Sequence, residues 1–574
     1  MPLVHSAGNQ VVQPRVRFAW SRFELLAAVI LLVMAVNLLS VIARKSITTD
    51  EVVLIPAAYY HYVADEAHLI AQHPPVCKLL AGLPLLFIQP NKWSPASTDP
   101  AGRNDQHDWA YTSHFWQDNA PLFKKICFWS RVPMIALTLA LGVLVFVFAR
   151  DLFGPRAALL AVALFALEPT ILAHGRVVQT DIPAAFGLLL TVFALYRYIG
   201  APSWKGAIAL GGAIAVALLS KFSMLVICPA LAVVLAVLWV RTTRRRLLLR
   251  HALVIAVVIL VVINATYFFY HRALTEGDFK WIAECFPGSA SLLSNSVRML
   301  RFVLPADFLM GVLWQLQHGR AGHSAGLLGM YSNHGWWYYF PVAFCLKAPV
   351  PFLVTSLAGL AWAAHRLLRF RERWALFLLV PVISYTILLM LSPIDIGVRY
   401  YLPGYVFFVL LSVGLLNALR HFRAAATTIV TGWMAIEMVR SYPNHMSYLN
   451  QFAFARPHWW YLSDSNIEWG DDAKKLAAWL RARGESRVRA LLLGGFATLD
   501  FYGVNYIDAL SKAEPPPRYL ALGASFLNGS TVPSYERDGK RVSEEVRVNT
   551  FDRFRHRTPE AIIGESIYVF RNDD

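Results

Sequence analysis

Eleven apolar stretches, most of them close to the length needed to cross a lipid bilayer, recur along the chain and leave few folds open to it. They run over 23–43, 132–149, 157–173, 182–199, 206–220, 222–240, 251–270, 338–364, 374–392, 400–418 and 424–440. A helix needs about 20 mostly apolar residues to cross the ~30 Å hydrocarbon core, because every backbone polar group there must be satisfied within the segment. The first stretch is too long for a secretory signal and lacks a small-residue cleavage site, so it reads as a retained anchor. Stretches 206–220 and 222–240 are the least clearly separated, with only Ser220 and Lys221 at their boundary.

Composition agrees with a polytopic membrane protein. Of 574 residues, 57% are hydrophobic and 16% charged, whereas soluble domains carry about 25% charged residues. That composition argues against an ordinary soluble enzyme, and an aromatic share of 13% excludes a disordered chain. The net charge of +17, from 53 Lys and Arg against 36 Asp and Glu, would point to nucleic acid in a soluble protein. In a membrane protein it points to cytoplasmic loops, so no nucleic-acid partner is expected. Five cysteines make no disulfide framework and show no zinc-ligand spacing. Cys77 and Cys127 share one loop, where they could pair or stay free.

Lys and Arg collect at 15–22, 150–156, 197–205, 241–250, 366–373 and 420–423. In an eleven-span chain these six segments fall on one side, which places the N-terminus in the cytoplasm and the C-terminus outside. The outer side then holds long loops at 44–131 and 271–337 and the tail after 440. The expected organisation is a helical membrane domain over 1–440 and a small extracytoplasmic α/β domain over 441–574. The tail has helix-like DDAKKLAAWLRAR (471–483) and strand-like RALLLGG, RYLALG and SIYVFR.

Chemistry-bearing residues gather at the outer ends of the spans. Asp50 and Glu51 follow the first span, where a partly desolvated carboxylate suits a general base. Thr48-x-x-Glu51 is also a capping box, so one carboxylate could cap while the other reacts. His73-Pro74-Pro75 ends the next helix, and Lys78 opens an apolar run on the face where the topological bias toward cations is absent. The turn EPTILAHGRVVQTD brings Glu168, His174, Arg176 and Asp181 together, with Asp181 readable as a helix start or as a site. A further turn, SPIDIGVRYYLP, carries Asp395, Arg399 and Tyr400. Lys221 and Lys347 read as snorkelling cations or as ligands, and WWYYF (336–340) as an interfacial aromatic belt. Charges so near hydrocarbon tend to face a cavity, and a cavity lined with cations around one carboxylate suits a lipid-linked phosphate.

Taken in order, DE after the first span, HPPxxK, AHGRxxxTD, GWWYYFPxAFxxKxP (335–349) and GxRYxLP (397–403) resemble the bacterial relatives of the protein O-mannosyltransferases. These are GT-C glycosyltransferases of family 39, similar also to the aminoarabinose lipid A transferases. The tail motifs YPNHMSYLNQFAF and YLSDSNIEWGDD (442–472) are similar to the outer domain of many bacterial members.

The resemblance implies a GT-C fold and an inverting transfer of a hexose or pentose from a polyprenyl phosphate to an acceptor hydroxyl on the extracytoplasmic face of a bacterial inner membrane. The acceptor class stays open between protein, lipid and cell-envelope glycan. By the same resemblance Asp50 is the catalytic base, Glu51 and Asp181 are further acids of the centre, and Lys78, Arg176 and Arg399 hold the lipid phosphate. His73, His174, Lys221, Lys347, Asp395 and Tyr400 are the wider pocket. No cofactor is required; a divalent metal could be recruited by Asp50 and Asp181 but is not indicated. The alternative class is a transporter or flippase of lipid-linked sugars, which would want polar groups along the spans rather than at their mouths.

Overall fold

The computed structural model describes residues 21–63, 69–93, 105–241, 245–511, 515–537 and 540–572. The basic segments 15–22 and 241–250 therefore lie partly outside the described residues. Among the described residues six helices are long and apolar enough to cross a membrane: Arg22–Arg44, Ala120–Phe153, Asp181–Gly200, Arg245–Thr266, Arg373–Met390 and Val398–Ala418. The protein is a multi-pass membrane protein built mainly of helices, with a small sheet in the C-terminal part.

Helix α1 (Arg22–Arg44) shows how the sequence selects these elements. Ser21 accepts from the backbone N–H of Glu24 while Glu24 reaches back to Ser21, closing a capping box. Ala27, Leu31, Met34, Leu38, Val41 and Ile42 are buried at helical spacing, while Val29, Leu32, Val33 and Val36 stay exposed for lipid. Two stretches expected as single spans are broken. The run over 157–173 stops at Leu167 and restarts at Pro169, and that over 338–364 breaks at Ala348–Pro349 into Tyr339–Lys347 and Val350–Phe370. In each case proline cannot donate to the helix before it and is suited to the first turn of the next.

Two helices outside the long spans shape the outer end. Helix α2 (Thr49–Val63) follows α1 directly, and α3 (Pro75–Gly82) starts after the His73-Pro74-Pro75 break. Helix α4 (Phe123–Phe153) begins well before the stretch its apolarity suggested. Helix α5 (Asp181–Gly200) lies against α6 (Trp204–Ser220) so closely that a Cβ at Gly187 would come within 2.5 Å of Ala217 Cα. Small residues allow that approach where no hydrophobic force holds helices together in lipid. Helix α7 (Leu402–Ala418) is the most enclosed of the long spans. The aromatic run at 336–340 is not a belt: only Trp337 points outward, while Tyr339 and Phe340 are fully buried.

In the outer part, a hairpin of β1 (Ala325–Leu327) and β2 (Met330–Ser332) precedes the C-terminal sheet. That sheet contains β3 (Arg487–Leu491), β4 (Asn505–Asp508), β5 (Tyr519–Gly523), β6 (Ala561–Ile563) and β7 (Ile567–Arg571), in the order β4-β3-β5-β7-β6. The two pairings of β3 are parallel, whereas β5–β7 and β6–β7 are antiparallel. Helix Ala473–Arg481 buries Leu476, Ala477 and Leu480. Cys77 and Cys127 are both buried and free.

Candidate active site

Asp50, Asp181, Lys221 and Arg399 form one continuous charged cluster. Arg399 Nη1 donates to Asp50 Oδ2 at 2.7 Å and lies 3.5 Å from Asp181 Oδ2. Lys221 Nζ donates to Asp181 Oδ1. Each residue sits at a helix end: Asp50 in the first turn of α2, Asp181 at the start of α5, Lys221 just after α6, and Arg399 just before α7. Antiparallel helices bring those ends to one level, so four distant sequence positions converge.

Aromatic rings pack around the cations. Lys221 Nζ is 3.5 Å from the centre of the Tyr400 ring, and the Arg399 guanidinium stacks 4.1 Å from Trp469. Such contacts hold a cation in place where water is scarce. His73 faces the same group, and its ring is held neutral, with its pKa lowered to about 4 by burial and by Arg399, Lys221 and Lys78, against the opposing pull of Asp50. Lys78 is buried, and its ammonium donates to Leu69 O at 3.1 Å.

Glu51 turns away from this cluster. Arg131 donates from Nε to Glu51 Oε1 at 2.6 Å and from Nη2 to Oε2 at 2.5 Å. Thr48 N and Val178 N complete the shell of the same carboxylate. Glu51 therefore caps its own helix and ties α2 to α4 and to the 174–180 turn. The adjacent acid is different, since the Asp50 side chain keeps 23% of its surface exposed, against 1% for Asp181.

Several other expected site residues are occupied elsewhere. Arg176 is fully buried and donates to Asp471 Oδ2 at 2.6 Å, and Lys45 pairs with Asp472 beside it. Arg176 thereby joins the C-terminal part of the chain to the 174–180 turn. Lys347 donates to the carbonyls of Met446 and Asn466. His174 packs its ring on Trp469 at 5.8 Å. Asp395 accepts from Trp336 N at 2.6 Å, and burial pushes its carboxyl up to about 7.

The segment 464–469, quoted above only as a family motif, supplies what the candidate residues lacked. Ser465 Oγ donates to Ile396 O, and Asn466 Oδ1 accepts from Val398 N. A Cβ at Gly397 would sit 2.2 Å from Ser465 Oγ, so glycine is what lets this segment reach the Arg399 turn. Trp469 O accepts from Thr49 N, which fixes the start of α2 and with it Asp50. A cavity of about 400 Å³ lies where these pieces meet, lined by Asp50, Arg399, Asp464 and Trp469 among others. Among the described residues no group of three or more His, Cys, Asp or Glu gathers at metal-binding distance. Asp50 and Asp181 share the Arg399 guanidinium as a counter-charge.

Residues 120–269 match the model of a family described as dolichyl-phosphate-mannose-protein mannosyltransferase. That match covers the first long helix after α3 through the helix ending at Thr266, and no more of the chain. The matched segment contains Asp181 and Lys221 but neither Asp50 nor Arg399. Among solved structures the chain is similar to ArnT from Cupriavidus metallidurans bound to undecaprenyl phosphate, with 15% identity and a TM-score of 0.48, covering 90% of this chain and 96% of that one. It is also similar to the apo oligosaccharyltransferase of Archaeoglobus fulgidus, with 14% identity and a TM-score of 0.44 over 86% of this chain. The chain spans 61% of that enzyme's length. No curated protein sequence matches it.

Proposed function

We propose that the protein is a membrane glycosyltransferase that moves a sugar from a polyprenyl phosphate to an acceptor hydroxyl on the extracytoplasmic face, with inversion at the anomeric carbon. The observation that carries this reading is the position of Asp50: a partly exposed carboxylate at a cavity mouth, held by Arg399, beside cations assembled from other helices. In the reaction Asp50 takes the proton of the acceptor hydroxyl as its oxygen bonds to the anomeric carbon. The bond from that carbon to the phosphate oxygen breaks, and its electron pair leaves with the lipid phosphate. Arg399 and Lys221 meet the charge that develops there, and Lys78 adds to the field from behind His73.

The family match over 120–269 supports a sugar-transfer chemistry, and the apolar surround of the cluster supports a lipid-borne donor. Asp181 orients the two cations, since both touch it, and Glu51 holds the frame in which Asp50 stands. A bacterial inner membrane with the N-terminus in the cytoplasm fits the basic segments on the opposite side. The test is transfer by purified protein in detergent, given an undecaprenyl-phosphate-linked sugar and envelope material as acceptor. Release of undecaprenyl phosphate dependent on acceptor and on Asp50 is expected, and its absence from the unaltered protein under all acceptors would defeat the proposal.

A further inference from the structure

The cavity above Asp50 has two unlike sides. On one side it is bounded by Thr49, Ile396 and Trp469, next to the charged cluster. On the other side its wall comes mainly from the C-terminal part of the chain, with Asp464, Leu493, Ser530, Thr531, Val532 and Arg547 lining it. His323 and Ser324, just before β1, close the remaining side. Asp50 and Arg399 stand between the two sides, where a reacting hydroxyl would have to lie.

The outer wall is rigidly held. Arg547 donates through Nη1 to Val532 O and through Nη2 to Tyr331 of β2, both at 2.5 Å, so it clasps the hairpin to the C-terminal part. Asp464 adopts a positive φ of 54°, its N–H donates to Ser525 Oγ, and its Oδ1 accepts from Ser465 N. Ser530 Oγ donates to Ser525 O, while the Thr531 hydroxyl is buried with no hydrogen-bond partner among the described residues.

We infer that this wall is the acceptor subsite and that it takes a hydroxyl-rich, uncharged saccharide. The inference rests on the transferase reading above. Two carboxylates, of Asp50 and Asp464, and two guanidinium groups, of Arg399 and Arg547, border one space and offer it both donors and acceptors. Hydroxyls of Ser324, Ser530 and Thr531 add groups that can either donate or accept. That set matches a polyol and offers no net field for an acidic or basic guest. An extended peptide would instead need a free strand edge. The β1 edge of the hairpin is taken, since Gly326 N donates to Ser463 Oγ and Leu327 bridges to Leu462. At about 400 Å³ the space lies toward the lower end for small-molecule pockets.

The test uses the full-length protein and three variants, Asp464→Asn, Thr531→Val and Arg547→Gln, each checked for an unchanged melting midpoint. Undecaprenyl phosphate binding, read by native mass spectrometry, probes the donor side. Transfer to envelope polysaccharide from cells lacking the protein probes the acceptor side. Undecaprenyl phosphate affinity within about twofold of the unaltered protein, with the acceptor KM raised about tenfold in at least one variant of unchanged midpoint, supports the subsite. Equal loss of both functions, or a transferred sugar found on Ser or Thr of a protein, overturns it. Failure of the unaltered protein to bind undecaprenyl phosphate defeats the transferase reading first, and this inference with it.

Discussion

Arg399 donates to Asp50 at 2.7 Å across 349 positions of chain. One bond joins the turn before α7 to the first turn of α2, and the same nitrogen reaches toward Asp181 at the head of α5. Replacing Asp50 by Asn should keep the fold, because the amide retains the shape and an acceptor oxygen for Arg399. Transfer should fall by about 10² to 10⁴, the usual contribution of a positioned general base. Initial rates and melting midpoints from the same preparation check this, and a rate near that of the unaltered protein would remove Asp50 from the mechanism.

Glu51, its neighbour, should behave in the opposite way. Glu51→Gln leaves the Arg131 guanidinium buried without a counter-charge, a change that typically costs about 3–5 kcal/mol. A large drop in melting midpoint or in yield of folded protein is expected before any effect on chemistry. A Glu51→Gln protein as stable as the parent but inactive would reassign the catalytic acid.

Arg176 leads to a similar separation. Since it pairs with Asp471 and not with the Asp50 cluster, Arg176→Met should lower stability and expose the region after 441 to limited proteolysis. Activity per folded molecule should change little, whereas Lys221→Met should spare proteolytic resistance more and weaken undecaprenyl phosphate binding. Titration of both variants with that lipid decides between the two roles.

Asp395 gives a pH-dependent expectation. Burial raises its carboxyl to about 7, so the folded state holds this proton where the unfolded chain releases it. The proton-bound fold is favoured below pH 4, and stability from this group declines as pH rises from about 4 to 7. Asp395→Asn mimics the protonated acid and keeps an acceptor for Trp336 N. Its melting midpoint should therefore rise relative to the parent at pH 8 and differ little at pH 4. An equal shift at both values would show that the carboxyl's ionisation is not the cause.

Gly397→Ala tests the seam between the two parts. The added methyl would meet Ser465 Oγ at 2.2 Å, so either the Arg399 turn or segment 464–469 must move. Overpacking of this kind costs about 1–3 kcal/mol. Loss of transfer larger than the loss of stability is expected, because Arg399 is displaced from Asp50. Equal losses in both would make the contact merely structural.

Much of the frame was legible in the sequence because lipid imposes a simple rule on it. Runs such as 23–43 and 182–199 became helices almost where their apolarity placed them, and β3, β5 and β7 lie in the three strand-like runs of the tail. Broken helices at Pro169 and Pro349 were harder, since apolarity continues across the break while the backbone does not. Among site residues, Asp50, Asp181, Lys221, Arg399 and Tyr400 meet, but Glu51, Arg176 and Lys347 are taken up by buried partners. Sequence proximity to the membrane surface could not separate these groups: Glu51 and Arg176 are as near to it as Asp50. What distinguishes them is a counter-charge supplied from far away, by Arg131 for one and Asp471 for the other. Asp464 and Trp469 were visible as a motif without a role, because Trp469 meets Thr49 and Arg399 from far earlier in the chain and Asp464 meets Ser525 61 positions later.

The clasps formed by Lys45 with Asp472, Arg176 with Asp471 and Lys347 with Asn466 O make roof and floor a single cooperative unit. A chain cut near 440 would strand three buried cations in a hydrocarbon-lined setting, so it should fail to accumulate rather than persist as a simpler enzyme. Grafting a roof from a relative would succeed only if its matching acids and carbonyl came along, which restricts how freely acceptor choice can drift once the floor is set.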